Sequence, residues 1–406
     1  MRIELQEHRS VTLRGRDQPD RGIGYLLSHQ YDGGMQRWAG WITIVGLLVS
    51  AWLWGQDTSQ KSGPWVLERS GTTAGLRGIH AVGGGVAWAS GTNGTVLRTE
   101  DGGYEWQSCA APPDSAKLDF RGIWAWDANT AIAMSSGPGD ASRLYQTTDG
   151  CSHWTPVLVN SDKDGFWDAV VFKSRMKGYL LGDPVNGRFF FSTTEDGGLN
   201  WKRSEANGLD AAPDAKGAFA ASNSALLGGE REPVLFGTGG AYIFRQSFSG
   251  NVDFAAKPGT PIKMTEQWSR EAVPLARGNA ASGIFSVGWH EGSIPGYGYT
   301  LVAVGGDYTK PNESAGTAAW SKDGGKTWTA AERPPHGYRS AVAWDADAQA
   351  WIAVGTNGSD ISWDDGKTWV PLDGPETGGN WNALSLPWVV GPEGRIGKIN
   401  PDQLKK

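Results

Sequence analysis

Five times along this chain a Ser or Thr is followed two residues later by Asp, then by a Gly-rich turn, then by Trp in the eighth place. The copies run Thr99 to Trp106, Thr147 to Trp154, Thr194 to Trp201, Ser321 to Trp328 and Ser362 to Trp369. Asp101, Asp149, Asp196, Asp323 and Asp364 hold the third position of the five. A unit copied in this way is one supersecondary element that buries its apolar face only by stacking on its neighbours. The short Asp carboxylate accepts bonds from nearby backbone N–H groups while the glycines take positive φ, so each copy closes a hairpin. The Trp opens the next strand and offers a large apolar face to a seam between stacked sheets, which gives Asp and Trp alike a structural role.

The boxed Asp residues lie 48, 47, 127 and 41 positions apart, close to the length of a four-stranded propeller blade except across the third gap. That gap reads as one enlarged blade without a box, with strands in 217–227, 233–236, 241–246 and 268–275, followed by a blade starting near Ser282. A second repeat, Gly91-Thr-Asn-Gly94, Gly355-Thr-Asn-Gly358 and Gly391-Pro-Glu-Gly394, follows an apolar strand each time. The last copy reads as having no strand after it, and the segment beginning at Trp65, which resembles the strand after a box, reads as the missing fourth strand. An N-terminal strand completing the C-terminal blade would remove the open sheet edges of a linear array. The expectation is an all-β, seven-bladed β-propeller over 64–400, with 401–406 as a tail.

The 59 Gly, 22 Trp and few long helical patterns suit many short strands joined by tight turns. A net charge of −6 without a basic cluster argues against a nucleic-acid partner. The six His show no metal-ligand spacing, and Asp162-Lys-Asp164-Gly165 lacks the remaining ligands of a calcium loop. No Gly-rich dinucleotide loop opens a helix, so neither metal nor cofactor is expected.

Residues 38–54 are an apolar run preceded by Arg37 and bounded by Trp38, Trp41, Trp52 and Trp54. They read either as a membrane anchor, from the flanking Trp, or as a signal peptide with Val49-Ser50-Ala51 as a cleavage site. Residues 1–37 read as a disordered tail or a mis-called start, and 55–63 as a linker. Both readings of 38–54 put the propeller outside the cytoplasmic membrane, periplasmic or secreted, as a monomer. Cys109 and Cys151 sit in adjacent repeats, either as a disulfide suited to that compartment or as two separate thiols.

Aligning the starts of the innermost strands yields one ring at the channel mouth. Arg77, Arg121 and Arg339 fall at equivalent places, with Trp167 and Trp381 beside them and Asp168 and Asn382 one step along. Converging guanidiniums suit an anion, a carboxylate or an acidic protein segment; alternatively each pairs with a neighbouring Asp and plugs the channel. The loops carrying Asp183 and Asp307-Tyr308 are weaker contributors to the same face.

The Ser/Thr-x-Asp-x-Gly-x-x-Trp pattern, complete at Asp101, Asp196, Asp323 and Asp364 and altered by Cys151 after Asp149, resembles the Asp-box or BNR repeat of sialidase-like β-propellers. That resemblance implies a carbohydrate-active alternative, with an arginine triad imitated by Arg77, Arg121 and Arg339 and Tyr338 adjacent. The Arg-Ile-Pro motif of that family is absent, and no Tyr and Glu pair can be assigned. The region from Trp65 to Ile399 is more similar to the exported propellers related to the photosystem II stability/assembly factor. It implies a non-catalytic scaffold that binds a partner protein, with an arginine patch implicated. The same repeat serves hydrolases, receptors and assembly factors, so the fold alone does not select among them.

Overall fold

The computed structural model describes residues 63–405 except 216, 230–232, 251–263, 293–297 and 373–378. The tail, the apolar run at 38–54 and nearly all of the linker lie outside the described residues. Seven four-stranded antiparallel sheets are present, and their cores pair them into a closed ring. Blade 1 comprises Leu76–Gly83, Val86–Gly91, Val96–Thr99 and Gln107–Ser108. Blade 2 starts at Phe120–Ala125, blade 3 at Trp167–Phe172, blade 4 at Leu226–Leu227, blade 5 at Ser282–Glu291 and blade 6 at Ala341–Asp345. Blade 7 takes Ala383–Ser385, Trp388–Val390 and Ile396–Ile399 from the C-terminal end and Trp65–Glu68 from the other; contrary to expectation a strand, Ile396–Ile399, does follow the last Gly repeat, held between Trp388–Val390 and Trp65–Glu68. Trp65 pairs with Ile399 and Glu68 with Ile396, so the ring is closed by strand pairing between distant parts of the chain.

The enlarged blade 4 has the predicted order, with a shorter first strand and a long outer hairpin, Tyr242–Gly250 and Met264–Ala272. Residues 401–404, expected as tail, form a 3-10 turn instead. Leu404 is buried beside Trp65 because Asn400 donates its N–H to Pro64 and caps the turn with its side chain. That apolar contact ties the last turn to the closing blade.

Each of seven apolar cores lies in one seam between successive blades. Leu76, Ala87 and Leu97 of blade 1 pack against Trp388, Val390 and Ile396 of blade 7. Along Trp167–Phe172 the alternation splits: Val170 enters the seam with blade 2, whereas Ala169 and Val171 enter the seam with blade 4. Inner strands are therefore apolar on both faces. The box Trp residues follow one rule, each entering the seam with the preceding blade: Trp106, Trp154, Trp201, Trp328 and Trp369. In the two blades without a box, Trp268 and Trp65 take the corresponding places.

The boxes share one hydrogen-bond pattern. In the first, Thr99 Oγ1 donates to Asp101 Oδ1 (2.9 Å) and accepts from Gly103 N–H (3.0 Å), while Glu105 N–H donates to Asp101 Oδ1 (3.0 Å). The other four repeat it. Gly103 has φ +92° and lies against the Trp388 ring, which leaves no room for a Cβ. At the equivalent Cys151, φ is +63°, and its sulfur is bonded to Cys109 at the outer edge of blade 1. This disulfide crosses the seam between blades 1 and 2.

Candidate functional site

The site is built by irregularities in the innermost strands. In blades 1, 2, 3 and 5 the pairing with the second strand skips a residue near one end of the inner strand: Arg77, Arg121, Asp168 and Phe285 respectively. A bulged residue leaves the alternation and its side chain is re-aimed. All four line one cavity of about 440 Å³, where Ser340 and Asn382 join them from blades 6 and 7. Each of these last two directly precedes a paired strand and donates its N–H to that strand's partner, Val354 and Val390. The ring thus contains two arginines, not three.

Arg339 is the departure from the predicted ring. Leu76, Ile284, Arg339 and Trp381 each donate a backbone N–H to the preceding blade, at Gly391, Thr238, Gly305 and Gly355. They are the equivalent positions, and all four side chains are fully buried. The sequence alignment was out of step by one residue in blades 3, 6 and 7, and such a slip exchanges the two faces of a strand. Arg339 instead holds the buried Asp360 through Nε (2.7 Å) and Nη2, and donates to Asn357 Oδ1 and the Tyr338 carbonyl, both at 2.6 Å. Trp167 is likewise buried, stacked on Phe190. Trp381 is buried too, under the Arg395 guanidinium, but one part of it reaches the cavity wall. Asn382 lines the cavity and donates to the Leu76 carbonyl at 2.8 Å.

The two mouth arginines share one carboxylate oxygen. Asp119 Oδ2 lies 2.8 Å from Arg121 Nε and 3.5 Å from Arg77 Nε. Burial pushes the Arg77 guanidinium below the usual arginine range; Asp119 opposes that shift and Arg121 adds to it. Arg77 Nε is buried and makes no hydrogen bond among the described residues. This corner therefore keeps unspent donors and an excess of positive charge.

Asp168 and Asp183 form a second pair in the same cavity. Asp183 belongs to the weaker loop candidates of the sequence and is also a bulge residue, passed over between Gly182 and Pro184 in the strand pairing. Each carboxyl group acts on the other's titration. Burial drives Asp168 well above the usual carboxylate range, and the Asp183 charge adds to this. Asp183 is pushed up to about 6 by burial, against the Ala218 N–H it accepts at 2.9 Å.

The remaining wall is aromatic. Phe219 and Phe285 are stacked at 3.7 Å, Tyr338 meets Phe285 edge-on at 4.8 Å, and Tyr308 stands half-exposed beside them. Phe219 and Phe285 escaped the sequence reading. Phe219 sits before the short first strand of blade 4, in a stretch with no box or Gly repeat to align it. Burial holds the Tyr338 hydroxyl well above the usual tyrosine range, the reverse of what a nucleophilic tyrosinate needs. No Glu lines this cavity among the described residues.

Fold and site define a seven-bladed β-propeller with a charged and aromatic opening at one end of its channel. Neither a family model nor a curated protein sequence matches the chain. Among solved structures it is similar to YCF48 bound to D1 peptide, at 16% identity and a TM-score of 0.52, covering 83% of this chain and 96% of that one. It is similar in the same way to YCF48 from Cyanidioschyzon merolae, at 18% identity and 0.52, covering 84% and 99%. The extracellular domain of a hybrid two component system from B. thetaiotaomicron also shares the fold, at 11% identity and 0.53, covering 83% of this chain and 40% of that one. The similarity to the two YCF48 structures thus covers the greater part of this chain and nearly all of theirs.

Proposed function

We propose that this propeller is a non-catalytic binding module, outside the cytoplasmic membrane, that captures a polypeptide segment of a partner protein at its channel mouth. The observation that carries the reading is the pairing, in one cavity, of the Phe219, Phe285 and Tyr308 wall with Arg77 and Arg121, whose donors are only partly used. Aromatic faces and arginine forks are the groups that hold apolar side chains and carboxylates at interfaces. The peptide carried by YCF48, a propeller of the same fold, supports the choice of a polypeptide. The Cys109–Cys151 bond and the apolar run at 38–54 support an oxidising, extracytoplasmic location, reached through a signal peptide or an anchor.

The test is affinity capture from the native extracytoplasmic fraction with wild type and with an Arg77→Ala/Arg121→Ala variant. Arg339 is left intact because its guanidinium belongs to the buried frame. A protein retained by wild type and lost from the variant supports the reading. Identical retention by both would remove the mouth as the docking place.

A further inference from the structure

We propose that the mouth holds ligands of mixed charge, with the Asp168–Asp183 pair receiving a primary ammonium, such as a Lys side chain, while Arg77 and Arg121 receive a carboxylate. This rests on the mouth being the binding site and specifies the chemistry of what enters it.

The charges in the cavity nearly cancel. Arg77 and Arg121 face Asp119, and Asp183 stands beside Asp168, with Tyr308 and Tyr338 as the other titratable groups in the wall. A purely anionic ligand gains from one corner only and meets Asp183 at the other. A ligand with both signs satisfies both corners.

The acidic corner is unfinished in its own right. Asp168 is 1% exposed and lines the cavity. Among the described residues its buried Oδ2 has no hydrogen-bond partner. Buried carboxylates of folded proteins are ordinarily met by several donors. An ammonium brings three donors and a charge. Asp183, Ala218 and Phe219 also line a neighbouring cavity of about 400 Å³ to which Asp214 contributes.

The titration of the pair couples binding to pH. With Asp183 protonated the pair is neutral and repays an ammonium poorly; once it ionises, near pH 6, the pair carries a charge. The probes are ε-aminocaproate, caproate and hexylammonium, titrated into the full chain by calorimetry between about pH 5 and about pH 7.5. The expected result is that ε-aminocaproate binds about tenfold more tightly than caproate at the upper pH, and that this advantage fades on acidification. Asp183→Asn and Asp168→Asn should each abolish the advantage and leave caproate binding in place, whereas Arg77→Ala should weaken caproate. Equal affinities of ε-aminocaproate and caproate in wild type, or an advantage that persists in both Asn variants, overturns the proposal while leaving an anion-binding mouth. Binding of neither compound at tens of millimolar overturns it together with the mouth as a charged-ligand site. The wild-type pH series stands without any variant.

Discussion

Arg339 and Asp360 permit a quantitative test of how the blades are aligned. Both are fully buried, and the pair sits where blade 1 places Leu76 and Leu97, two residues of a single apolar core. The equivalence follows from the boxes: Asp360 is two residues before Ser362, as Leu97 is two before Thr99. Arg339→Leu leaves the Asp360 carboxylate without the bonds from Nε and Nη2, holding only its contact with His336. Asp360→Leu strands the guanidinium. Removing one partner of a buried pair costs about 3–5 kcal/mol, while replacing both with well-packed apolar residues is often neutral. Unfolding entropy of about 2.1 cal/mol/K per residue over about 340 residues converts a loss of ~4 kcal/mol into a fall of about 6 °C in Tm. Calorimetry of the two single variants and of Arg339→Leu/Asp360→Leu checks this. Each single should fall by about that amount and the double should return to within about 2 °C of wild type. A double variant as unstable as the singles would refute the equivalence with Leu76 and Leu97.

Replacing Cys109 and Cys151 together by Ser opens a loop closed over 42 positions, for which chain entropy gives a loss of about 4 kcal/mol as an upper figure; urea melts should show a lower midpoint. Asp364→Ala removes the acceptor of Ser362 Oγ (2.9 Å), Thr368 N–H (2.8 Å) and Thr368 Oγ1 (2.6 Å). It should cost about 1–2 kcal/mol in the same melts, with mouth binding unchanged. The raised folded-state value of Asp183 means that its stability contribution is full below the unfolded carboxylate value, near pH 4, and is lost as pH rises through about 6. Asp183→Asn should therefore match wild type in acid and exceed it at neutral pH in a melt series; a wild type that gains on Asn as pH rises contradicts the assignment.

The part of the protein legible from its residues alone is the part whose interactions are short in sequence. Every hydrogen bond of the box, from Thr99 to Asp101, Gly103 and Glu105, spans four residues or fewer, so five copies declare five hairpins wherever they lie. Repetition then forces stacking, and with it the seam positions of Trp106 or Trp369 and the closing role of the strand at Trp65. What the tertiary structure alone decided is which residue of each inner strand faces the channel. A bulge is a relation of two residues to one on a neighbouring strand, and no local pattern records it. Arg77 and Arg121 were legible because their Arg-Gly-Ile neighbours repeat; Arg339 precedes Ser-Ala-Val and fell one residue deeper, onto Asp360. Phe219 and Phe285 reach the mouth through the least repetitive stretch of the chain. The pairing of Asp168 with Asp183 joins the first and second strands of blade 3 through two separate bulges. The frame of this propeller was local, and its site is long-range.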